Sequence, residues 1–146
     1  MLIKKIRFNV FALFFIFLFI SCKGFSSEKI PYSIKATLDM NDCDEYEIAG
    51  LNLSFKNNGK KRVSEFNIVF YLFDEEGEPV SLFRSNLVLN VKTDISAGES
   101  EDFMLSLDSF FTYEPESDYY IDYVYISRIV YSDGSSWNDP FGLALY

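Results

Sequence analysis

The sequence predicts an all-β protein, an antiparallel sandwich of about seven or eight short strands. Three observations carry that expectation. Apolar and polar residues alternate in several short runs, placing every second side chain on one face of a strand. Turn signals built from Gly, Asn, Asp and Ser separate those runs. Beyond the N-terminal apolar run, no stretch of about ten residues carries the helical period.

Taken in order, Tyr32, Ile34, Ala36 and Leu38 alternate with Ser33, Lys35 and Thr37 as a first strand. Leu51, Leu53 and Phe55 alternate with Asn52, Ser54 and Lys56 as a second. Asn57-Asn58-Gly59-Lys60-Lys61 reads as a turn whose Asn-Gly pair suits positive φ. Residues 66–73, FNIVFYLF, are apolar on both faces except at Asn67, the mark of a central strand covered on both sides. Phe66, Ile68, Phe70 and Leu72 are its expected core residues. Residues 74–79 form the next turn, 87–91 a strand, 96–99 a turn and 103–107 another alternating strand. Residues 108–116 fit no pattern and leave a helical turn or a loop open. Residues 119–131 read as one long strand rich in Tyr and Ile, and Asp133-Gly134 as a hairpin turn into a last strand around Trp137. This spacing suggests an Ig-like sandwich.

Composition narrows the chemistry. The chain has 146 residues, enough for one domain with a genuine core. Its 2 cysteines cannot build a disulfide-dense scaffold or a four-cysteine metal site. The absence of histidine removes the Ser-His-Asp and Cys-His reaction centres and imidazole metal sites. A net charge of −9 argues against nucleic acid as a partner.

The N-terminus is the most specific stretch. Lys4, Lys5 and Arg7 precede 11 unbroken apolar residues, VFALFFIFLFI, at 10–20. That run is shorter than the roughly 20 residues a membrane-spanning helix needs and fits the core of a secretory signal peptide at 1–21. Phe19-Ile20-Ser21-Cys22 then resembles the lipobox of bacterial lipoproteins, with Phe19 where leucine is usual. The resemblance implies that Cys22 is diacylated and becomes the mature N-terminus; the alternative is ordinary cleavage that leaves a free thiol. The Phe-, Ile- and Lys-rich signal is similar to those of spirochaetal lipoproteins. The expected location is the cell envelope, with the chain held to a membrane by lipid, on the outer surface or the periplasmic face. Loss of residues 1–21 leaves 10 basic and 22 acidic residues, a net charge of −12. Residues 22–31 read as the lipidated cysteine and a short tether, and 32–146 as the sandwich domain. Cys43 is expected to be buried and inert or a free thiol.

Residues 53–80 carry a further resemblance. Phe70-Tyr71-Leu72-Phe73-Asp74 resembles the motif of the FxLYD family of bacterial and archaeal extracellular Ig-like domains, with Phe73 in place of its tyrosine. Asn57-Asn58-Gly59 matches that family's upstream turn, and Ala97-Gly98-Glu99 followed by Phe103 its downstream one, with Ala97 in place of proline. The ending Ile129-Val130-Tyr131-Ser132-Asp133-Gly134-Ser135-Ser136-Trp137 looks like that of related lipoprotein sandwich domains. These motifs mark strand ends and turns, so the resemblance implies a fold and an envelope location and says almost nothing of a ligand.

Three groups of residues are candidate sites. Asp39, Asp42, Asp44, Glu45 and Glu47 could hold a cation through oxygen, but they lack the spacing and the glycine of a calcium loop. A solvated inter-strand loop is the simpler reading, so no metal or cofactor is expected. Carboxylate pairs for hydrolysis arise by chance among 22 acids. The tyrosines Tyr119, Tyr120, Tyr123 and Tyr125 are the more informative group, because tyrosine is enriched in binding surfaces. Strict alternation would put Tyr119, Ile121, Tyr123 and Tyr125 on one face and Tyr120, Asp122, Val124 and Ile126 on the other. One face lines the core, and the tyrosines left outside are a partner surface or simply good strand formers. The leading expectation is a lipid-anchored, non-enzymatic module that binds a protein. A structural or assembly subunit of an envelope complex is the alternative, and a carboxylate-dependent hydrolase comes last.

Overall fold

A computed structural model describes residues 29–40, 44–80, 86–111, 115 and 117–145. The expected signal peptide, Cys22, Asp42 and Cys43 lie outside those residues.

Seven strands follow one another: β1 (Tyr32–Asp39), β2 (Gly50–Asn57), β3 (Val63–Phe73), β4 (Leu87–Ile95), β5 (Ser100–Ser106), β6 (Tyr120–Tyr131) and β7 (Ser136–Asn138). They form a three-stranded sheet in the order β1-β2-β5 and a four-stranded sheet in the order β4-β3-β6-β7. Every paired neighbour runs antiparallel. The fold is the antiparallel Ig-like sandwich that the alternation predicts.

The core lies where the inward residues of β2 and β3 meet. Leu51, Leu53 and Phe55 face inward from β2, and Phe66, Ile68, Phe70 and Leu72 from β3, all buried. Each such side chain contributes about 1.5–3 kcal/mol when fully removed from water. The rings of Phe55 and Phe66 stack with centroids 4.5 Å apart, and Trp137 meets Tyr32 edge-on at 5.6 Å. The last strand thus returns Trp137 to the core, as its sequence position suggests. Ile30, within the expected tether, also packs against the core, and Asn58 donates its N–H to the Pro31 carbonyl.

Two local expectations fail. The turn after β2 has no positive φ at Asn58 or Gly59. Asn57 is instead wholly buried: its Nδ2 donates to the carbonyls of Lys61 (2.8 Å), Ile95 (3.2 Å) and Ser96 (3.1 Å), while Oδ1 accepts from Gly59 N–H. The segment crosses between sheets rather than folding a hairpin, so a side chain and not an Asn-Gly pair sets its shape. The positive φ falls elsewhere, as at Gly134 (+80°) in the four-residue β6–β7 connection, where Gly134 N–H donates to the Tyr131 carbonyl and Tyr131 N–H to the Ser135 carbonyl.

The second failure concerns β6, which does not alternate without interruption. Asn67 and Ile68 pair with Arg128 and Ile126, so Ser127 is an extra residue. Val69 and Tyr71 pair with Tyr125 and Asp122, so Tyr123 and Val124 together oppose Phe70. At the second bulge Tyr123 takes φ +56°, a left-handed conformation uncommon for a residue with a bulky side chain. Each extra residue shifts the side-chain phase by one.

Candidate binding face

The bulges decide where the tyrosines point. On β3, Val69, Tyr71 and Phe73 face away from the core, opposite in phase to Ile68, Phe70 and Leu72. Their register partners on β6 are Tyr125, Asp122 and Tyr120. Tyr120 and Tyr125 therefore stand on the outer face of the four-stranded sheet, and Tyr123 joins them by ring contact. Its ring meets Tyr71 edge-on at 5.7 Å and Tyr125 at 5.8 Å. Phe73 and Tyr120 stack at 5.6 Å. Tyr119 goes elsewhere: it packs against the edge of the core and stacks on Phe111 at 6.1 Å. The face set that strict alternation predicts is thus corrected, with Tyr119 leaving the group and Tyr71 and Phe73 entering it.

The outer side of β3 is only partly covered, which corrects the expectation of a strand covered throughout. Val69 and Tyr125 are buried there, and the C-terminal segment covers Tyr125. Asp139 shapes that segment: its N–H donates to Ser127 carbonyl, and its carboxylate accepts from Leu143 and Ala144 N–H. Gly142 then lies on the Tyr125 ring, where an added Cβ would stand 3.0 Å from ring carbon at φ +67°. Only glycine fits that approach. The Tyr125 phenol donates to Pro140 carbonyl, and burial, with Tyr71, Tyr123 and Asp139 nearby, raises its pKa.

Beyond this cover the face is open. Tyr120 is 46% exposed, Tyr123 36%, and Phe141 and Leu143 at the C-terminal segment 70% and 67%. Val88, paired with Val69 on the edge strand β4, is also exposed. Rigid rings with accessible area are what contact surfaces use, because they bury much area for little lost freedom.

The acidic group lies in a different region. Asp39 ends β1 half-buried, and Asp44, Glu45 and Glu47 are exposed around the buried Tyr46. Among the described residues, no three potential ligands converge on a metal position. A carboxylate that sequence reasoning passed over organises this loop. Asp108 accepts from the N–H groups of Glu47 (2.9 Å), Ile48 (2.9 Å) and Ala49 (3.1 Å). Those donors, led by Glu47 N–H, lower its pKa to about 2. The contact joins residues some sixty positions apart, and no local pattern announces it.

Two concavities lie apart from the aromatic face. One of about 550 Å³ sits beside the β6–β7 hairpin, lined in part by Lys60, Lys61, Tyr131 and Trp137. There Lys61 pairs with Asp133 at 2.8 Å, which together with Ser135 lowers the Asp133 pKa. The other, of about 310 Å³, lies on the outer face of the three-stranded sheet between Lys35 and Asp102. Neither lining brings two carboxylates together as acid and base.

No protein-family model matches the chain, and no curated protein matches it significantly. Among solved structures, an X-ray structure of a hypothetical protein from Peptoclostridium difficile 630 is similar, with a TM-score of 0.58 at 12% identity. The match covers 77% of this chain and 88% of that one. Likeness at that identity concerns the fold alone.

Proposed function

We propose that the chain is a lipid-anchored, non-enzymatic protein of the cell envelope that works by binding another protein. The observation that carries this reading is the open aromatic face: Tyr71, Phe73, Tyr120 and Tyr123 gather on the outer side of one sheet, with Tyr120 and Tyr123 exposed. The strained φ at Tyr123 supports it, since a bulge that re-aims an exposed ring is retained at a structural cost. The lipid anchor rests on the 11-residue apolar run and the Phe19-Ile20-Ser21-Cys22 lipobox. The FxLYD-like motif residues agree with an extracytoplasmic domain. Anchoring at Cys22 followed by a short tether keeps such a module close to the membrane surface.

The test is capture from detergent-solubilised envelopes with the full chain, beside a Tyr120→Ser/Tyr123→Ser variant of unchanged melting temperature. The reading expects a discrete partner that the variant loses. A partner retained equally by both proteins, or lost from both on metal chelation, contradicts it.

A further inference from the structure

Among the described residues, the stretches around the aromatic face carry acidic side chains and no basic one. Those stretches, 66–80, 86–91, 117–127 and 139–145, contain no lysine or arginine. They do contain Asp74, Glu75, Glu76 and Glu78 in the β3–β4 connection, Asp118 just before β6, and Asp122 beside Tyr123. That connection reaches the rings directly: a Cβ on Gly77 would stand 3.4 Å from the Tyr120 hydroxyl. Asp122 sits in register with Tyr71, and its carboxylate accepts from Tyr123 N–H. Arg128, the cation nearest along β6, pairs with Asn67, which lies three residues along β3 from Phe70 opposite Tyr123, or about 10 Å, and six from Phe73 opposite Tyr120, or about 20 Å.

We infer that this face docks a cationic segment of the partner protein, its Lys or Arg heads lying over Tyr120 and Tyr123 within reach of Asp122 and the 74–78 carboxylates. The inference rests on the binding function proposed above and specifies the chemistry of the partner. Aromatic rings attract a cation through the negative potential of their faces, and arginine stacks on them while pairing with carboxylate. Carboxylates that have no lysine or arginine beside them among the described residues of those stretches add to that potential and disfavour acidic partners. The same carboxylates repel an anionic lipid surface, so the face turns away from the bilayer rather than onto it.

The experiment uses the full chain in zwitterionic detergent with its 10 tyrosines labelled with nitrogen-15. The probes are a short arginine-rich peptide and the same peptide with each arginine replaced by glutamine. The inference expects the arginine peptide to shift the amide signals of Tyr71, Tyr120 and Tyr123, leave those of Tyr32 and Tyr131 in place, and bind more weakly as salt rises. A Glu75→Gln/Glu76→Gln variant, changed only on an exposed turn, should bind more weakly. Tyr120→Ser should weaken binding roughly threefold, the loss of an exposed cation–π contact. An equal response to the glutamine peptide overturns the cationic partner and leaves the face as a contact surface. A response confined to Tyr32 and Tyr131, or none at all, overturns the inference outright.

Discussion

The phenol oxygen of Tyr32 on β1 accepts a hydrogen bond from the backbone N–H of Ile126 on β6, 3.1 Å away and from one sheet to the other. Ile126 adjoins Ser127, the extra residue of the first bulge. A side chain from the facing sheet thus satisfies a backbone donor inside the core. Burial raises the Tyr32 pKa, partly offset by that same N–H, so the phenol stays protonated through neutral pH. Tyr32→Phe keeps the ring and leaves the N–H without its acceptor. Urea unfolding should show a loss of about 1–3 kcal/mol, the penalty of an orphaned buried donor. An unchanged midpoint would mean that the bond contributes nothing.

Asn57, the register partner of Tyr32 on β2, performs a similar task. Its amide spreads its two hydrogens over the carbonyls of Lys61, Ile95 and Ser96, tying the β2–β3 and β4–β5 connections together. Asn57→Ala should destabilise by about 1–3 kcal/mol. Asn57→Asp should do no better, because a carboxylate cannot donate to those carbonyls. Chemical denaturation of the two variants checks both statements.

Asp108 makes stability depend on acid. Its pKa is about 2 in the folded chain against 3.8 for the free side chain, a depressed value. The contribution is therefore complete above about pH 4 and fades as pH falls towards 2. Asp108→Asn should be less stable than the parent at pH 7, with the difference shrinking between about pH 4 and pH 2. Thermal melts across that range test it, and a difference that stays constant with pH contradicts it.

How much of this was legible depended on the range of the signal. Leu51, Leu53 and Phe55, and the run at 66–73, announced strands and core because period-two burial is local. Asn57 was legible as part of a turn, but its burial depends on Ile95, which no nearby residue reports. The Asp108 contact with Glu47 spans the chain in the same way. The division of the tyrosines between faces departs from unbroken alternation for a sharper reason. Tyr123 and Val124 share one partner, and a single extra residue exchanges the faces of everything beyond it. Tyr71 and Phe73 escaped notice because they sat in a run that read as covered on both sides.

The lipid anchor makes a separate prediction. Cys22→Ala should abolish incorporation of labelled palmitate and move the protein from the detergent phase to the aqueous phase in Triton X-114 partition. Full retention in the detergent phase would assign membrane attachment to something other than Cys22.

The central claim is that the outer face of the β4-β3-β6-β7 sheet meets a protein partner. Site-specific photo-crosslinking in intact cells tests it most directly, with a photoreactive residue at Tyr120 and a control at Thr37, exposed on the other sheet. The account predicts a discrete crosslinked species from position 120 that is missing from position 37. Crosslinks from position 37 with none from position 120 would contradict it.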